Sequence, residues 1–170
     1  MRPSKILTTA ALAATAATAA TAATLATAGT AGAADTATQS LPVQVVRAGQ
    51  VVDTGHGVDL QLNQTDRCLG TPEAWSCKSV VDGNQAPDSV SLQTQGDASG
   101  TLYSPLYIGS GKVARMTVTA DGVTYDVQVV TLAGHPGYST GWAWGAPQAD
   151  LNDIPQVTVF DKAGGVLAQF

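Results

Sequence analysis

Ala114-Arg115-Met116-Thr117-Val118-Thr119-Ala120-Asp121-Gly122-Val123-Thr124-Tyr125-Asp126-Val127-Gln128-Val129 is the stretch that decides the fold class. Asp121-Gly122 suits a two-residue type I′ turn, whose central positions both need positive φ. Such a turn sets Ala120 opposite Val123, Val118 opposite Tyr125, Met116 opposite Val127 and Ala114 opposite Val129. Every one of these pairs is apolar. The other face receives Thr119/Thr124, Thr117/Asp126 and Arg115/Gln128, all polar. A slip of one residue would send the apolar set to water, so turn chemistry and hydrophobic pattern choose one register.

The same period of two recurs along the chain. Val43 and Val45 open a first strand, and Val58, Leu60 and Leu62 alternate with Asp59, Gln61 and Asn63. Val90 and Leu92 alternate with Ser89, Ser91 and Gln93. Residues 102–108 form a further β-prone run, and Pro105 inside it predicts an edge strand or a bulge. Near the C-terminus, Val157 and Val159 lead through Asp161-Lys162-Ala163-Gly164-Gly165 into a returning strand over 166–170. No window beyond the N-terminal tract shows helical spacing. The expected fold is all-β: an antiparallel β-sandwich, Ig-like or similar, of about seven to eight strands in two sheets.

Residues 1–33 have the layout of a secretory signal peptide. Arg2 and Lys5 make the basic start, an Ala/Thr tract follows, and no further charge occurs until Asp35. Ala31-Gly32-Ala33 and Gly32-Ala33-Ala34 both fit small-x-small cleavage, after Ala33 or Ala34. Residues 34–170 then form a single secreted domain. Its six basic residues stand against 13 acidic ones, a formal charge of −7. Nucleic-acid binding depends on clustered Lys and Arg, so that partner class is excluded. Stable membrane insertion after cleavage is not expected, and nine aromatics are too few for the girdles of a membrane barrel.

Outside the cell, Cys68 and Cys77 read as one disulfide closing a short loop around Trp75. It either staples a binding loop or pins neighbouring strands. His135 lies in Gly134-His135-Pro136-Gly137, followed by Tyr138, Trp142 and Trp144. The two tryptophans would share one strand face, where they either stack on sugar rings or a partner, or fill the core.

Catalytic templates fail. There is no G-x-S-x-G, and Gly109-Ser110-Gly111-Lys112 lacks the first glycine and the Ser/Thr of a phosphate loop. His56 sits between Asp53 and Asp59 without a metal-ligand spacing, so no metal and no cofactor is expected. Asp82-Gly83-Asn84 reads as an Asx-type turn.

Three segments carry a resemblance: Lys78-Ser79-Val80-Val81-Asp82-Gly83-Asn84, Leu132-Ala133-Gly134-His135-Pro136-Gly137-Tyr138, and Val159-Phe160-Asp161-Lys162-Ala163-Gly164-Gly165-Val166-Leu167. Together they resemble small secreted β domains of actinobacteria such as Streptomyces, a family without an established activity. The resemblance implies a source and no mechanism. The functional expectation is an extracellular, non-enzymatic binding or cell-surface interaction module for a protein or glycan. Trp75, His135, Tyr138, Trp142 and Trp144 are the candidate contacts. The alternatives are a small secreted hydrolase, or a protease inhibitor presenting residues 69–76.

Overall fold

The computed structural model describes residues 40–134, 136–148 and 153–170, and their regular structure is all β. The expected leader and its cleavage positions lie outside the described residues, as does His135. The chain is a sandwich as expected, with one more layer than the sequence suggested: among the described residues 13 strands form three sheets.

The middle sheet has five strands, in the order β1 (Gln44–Val46), β10 (Gln128–Leu132), β11 (Tyr138–Gly145), β7 (Gly100–Ile108) and β6 (Ser89–Asp97). A second sheet runs β2 (Val51–Asp53), β3 (Asp59–Leu62), β4 (Asp66–Thr71) and β5 (Ala74–Ser79). The third runs β13 (Val166–Gln169), β12 (Gln156–Phe160), β8 (Arg115–Ala120) and β9 (Val123–Asp126). Pairings are antiparallel except β1 with β10. The strand β7 explains the third layer. Leu102 and Leu106 on one face join a core with Leu60, Leu62 and Leu69, while Tyr103 and Tyr107 on the other join Met116, Val118 and Val157. A strand apolar on both faces must be covered on both, and the two outer sheets do this.

The hairpin forms in the expected register. Ala120 pairs with Val123, Val118 with Tyr125, and the Thr119 and Thr124 hydroxyls meet at 2.9 Å. Asp121 and Gly122 have φ of 49° and 74°, as a type I′ turn requires. The expected Ala114/Val129 pair does not form. After Asp126 the chain leaves β9 and enters the middle sheet as β10, and the Ala114 N–H donates to the Phe160 carbonyl. Val127 still donates to Met116 at 3.0 Å, so the sheet switch occurs at that residue. Nothing lies within 4 Å of a Cβ built on Gly122, so Gly122→Ala meets only the backbone cost of positive φ. It is expected to lose about 1 kcal/mol in urea unfolding.

Pro105 corrects another expectation. It lies in the interior strand β7, between β6 and β11, rather than on an edge. The β7–β11 ladder is interrupted there: Thr140 pairs with Leu106 and Ala143 with Tyr103, with no pairing in between. Proline has no N–H to donate. The Ser104 hydroxyl donates instead to the Gly141 carbonyl, and the Thr140 hydroxyl to the Pro105 carbonyl, both at 2.7 Å. Two neighbouring hydroxyls thus satisfy the carbonyls that the gap leaves open.

Candidate functional site

The segment 69–76 is a paired hairpin rather than an open loop. Cys68 stands directly opposite Cys77, and the two form the expected disulfide. Beyond it, Leu69 pairs with Ser76, Gly70 with Trp75 and Thr71 with Ala74, leaving only Pro72 and Glu73 outside the ladder. The bond therefore clamps the middle of a hairpin, at a Cα separation of 4.0 Å.

Strand parity fixes which side chains face out. Leu60, Leu62, Arg67 and Leu69 are buried toward the middle sheet, so their neighbours Asp59, Gln61, Cys68 and Gly70 face the other way. On β5 the outward set is Trp75, Cys77 and Ser79. Trp75 is 37% exposed. It ends a row that crosses all four strands: Asp53, Asp59, Gly70, Trp75. A Cβ on Gly70 would lie 2.1 Å from the Ala74 carbonyl oxygen and 3.0 Å from the Trp75 Cα. Glycine is the residue that this close pairing admits, and Gly70 is itself buried between the indole and the two carboxylates. The Asp53 carboxylate also accepts the Gly55 N–H at 2.7 Å.

The other aromatic candidates lie elsewhere. Trp142 and Trp144 share one face of β11, as their spacing predicts, and both are half-buried against the core beneath β2–β5. The Trp144 indole N–H donates to the Thr54 carbonyl at 2.6 Å, and its ring packs 4.1 Å from that of His56. The Tyr138 ring is buried and its hydroxyl donates to the Asn63 carbonyl at 2.6 Å. Burial pushes that phenol's pKa well up, Asp66 adds to the rise, and Arg67 opposes it. Tyr138 and Trp144 thus tie the β2–β5 sheet to the middle one, while Trp75 faces away from both.

No family model, curated protein or solved structure matches the chain. Its functional reading therefore rests on its own residues.

Sequence reasoning missed Arg67. It points from β4 into the interface, onto the gap that Pro105 opens. Its Nε donates to the Thr140 hydroxyl at 3.3 Å, Nη1 to Gln93 Oε1 at 2.5 Å, and Nη2 to the Ser104 carbonyl at 3.0 Å and to the Ser104 hydroxyl. Among the described residues no carboxylate forms an ion pair with it. Burial pulls its pKa down to about 10, still far above neutrality, so the group stays cationic. Beside it Lys78 donates to Ser91 Oγ at 2.8 Å and to Gln85 Oε1 at 3.1 Å. Burial and then Arg67 lower the Lys78 pKa, with Asp82 opposing. Both cations are solvated by neutral side chains and serve the sheet interface. Asp82 itself accepts the Asn84 N–H at 3.0 Å, the Asx turn that its tripeptide predicts.

Proposed function

We propose that the chain is exported and acts as a non-enzymatic binding module that holds a cell-surface glycan against Trp75. The observation that carries this reading is an indole exposed on the outer face of a disulfide-clamped hairpin, in one cross-strand row with two carboxylates. A flat ring can cover a sugar face, and Asp53 and Asp59 in the same cross-strand row can accept hydroxyl hydrogen bonds. The clamp keeps the ring from losing much freedom on binding, which favours affinity. Export is supported by the leader-like N-terminus and by the disulfide, since such bonds persist in oxidising compartments. Among the described residues no helix is long and apolar enough to cross a membrane. The resemblance to small secreted actinobacterial domains belongs to the same proposal.

The test is cosedimentation of the purified domain with insoluble peptidoglycan, chitin and cellulose. The unaltered protein is expected to pellet with at least one of them, and Trp75→Ala to weaken that retention about tenfold or more. Its stability should fall by about 1–2 kcal/mol, because at 37% exposure most of the residue's surface is covered. Equal retention of both proteins would sink the reading. So would capture of a protein partner with no retention on any glycan.

A further inference from the structure

We propose that a groove at the β1 edge of the middle sheet binds a free aliphatic carboxylate, with Lys112 holding the carboxylate and valines covering the chain. The site is separate from the Trp75 face and does not depend on it.

The groove has a volume of about 490 Å³. That falls in the range of small-molecule sites, roughly 300–1,000 Å³. Val43, Val45 and Val113 give it apolar walls, and Pro136 adds to them. Val45 lies on the edge strand β1 and is 62% exposed, an apolar side chain that a bound hydrocarbon would cover. Its polar rim is the loop 109–112. That loop is tied down by the Gly109 N–H on the Gly137 carbonyl at 2.8 Å. Ser110 and Lys112 remain as exposed rim side chains.

Charge selects the ligand's headgroup. Among the described residues Lys112 has no hydrogen-bond or ion-pair partner, and none of those lining the groove is Asp or Glu. Lys112 is the one charged residue among the groove's described lining, and the Asp88 carboxylate accepts from the Tyr107 hydroxyl beside Gly109. An exposed lysine and the exposed Val45 side chain thus line one groove, a combination that suits a ligand with an anionic head and a hydrocarbon body. An ammonium head meets repulsion there, and an alcohol loses the charge-assisted contact.

The test is a titration of the isotopically labelled chain with acetate, butyrate and octanoate, followed by amide resonances. Octan-1-ol and octylammonium are the matched controls. Octanoate is expected to saturate shifts at residues 43–45 and 109–113, with affinity rising about twofold to fourfold for each added methylene. Lys112→Glu should weaken octanoate binding about tenfold, and Lys112→Arg should stay within about threefold. Val45→Ser offers a second handle: it should weaken octanoate while leaving acetate unchanged. The proposal is overturned if octan-1-ol or octylammonium binds as well as octanoate, or if Lys112→Glu has no effect. Shifts that map elsewhere, or binding seen only with phosphatidylglycerol vesicles, also overturn it.

Discussion

Arg67→Ala is expected to lower the free energy of unfolding by about 3 kcal/mol. Three effects compete. Truncating a side chain that is 1% exposed leaves a cavity at the junction of β4, β7 and β11. The buried Ser104 carbonyl loses the guanidinium donor, at about 1–3 kcal/mol when left unpaired, and the half-buried Gln93 Oε1 loses its donor at a smaller cost. Against these stands the desolvation of a charge without a carboxylate partner, which the substitution relieves. The first two effects win, because Pro105 keeps the ladder gap open whatever occupies position 67. Arg67→Met, which retains most of the volume, should cost roughly 1–2 kcal/mol. Urea unfolding of the three proteins checks the order. A loss below about 1 kcal/mol for Arg67→Ala would show that water replaces the guanidinium at little cost.

Joint replacement of Cys68 and Cys77 by Ala is expected to cost about 3 kcal/mol in the chain-entropy account of a short closed loop. The cysteines are nine positions apart, so the closed loop is small. The local hairpin pairing through Thr71 and Ala74 supplies some of the same constraint, which makes this value an upper figure. Binding should fall as well, since the strand that carries Trp75 loses its clamp. This separates the variant from Trp75→Ala, which should lose binding with a smaller loss of stability. Unfolding and cosedimentation measured on both proteins check the contrast. A disulfide-free protein that binds as well as the oxidised one would remove the clamp from the account.

The hairpin around Asp121-Gly122 was legible because two independent signals, turn chemistry and alternation, agreed on its register. Beyond Asp126 they parted. Val129 is buried as its alternation predicts, yet its strand pairs with β1 and β11 instead of continuing beside β8. Alternation reports the face of a residue and says nothing about its partner. The third layer was written in residues 102–107, where Leu and Tyr occupy both parities, but Pro105 pointed to an edge or a bulge. The edge rule assumes a missing donor goes unreplaced, and here Ser104 and Thr140 fill in. Arg67 was hidden for a related reason, since charge in a strand ordinarily means an outward face. The signal that could have found it is the Cys68/Cys77 pairing. With those cysteines outward, Arg67 and Leu69 must point in. Of the aromatic candidates, spacing correctly put Trp142 and Trp144 on one face. It could not tell that this face lies beneath another sheet, or that Trp75 alone among the three tryptophans would stand out from it.

That division among the tryptophans is the central claim, and their indole N–H resonances read it directly. The isotopically labelled chain should be titrated with a soluble oligosaccharide of whichever glycan retains it. The Trp75 indole signal is expected to shift and saturate. Those of Trp142 and Trp144 should stay in place, with Trp144 still donating to the Thr54 carbonyl. Saturating shifts at Trp142 or Trp144 with Trp75 unmoved would contradict the account.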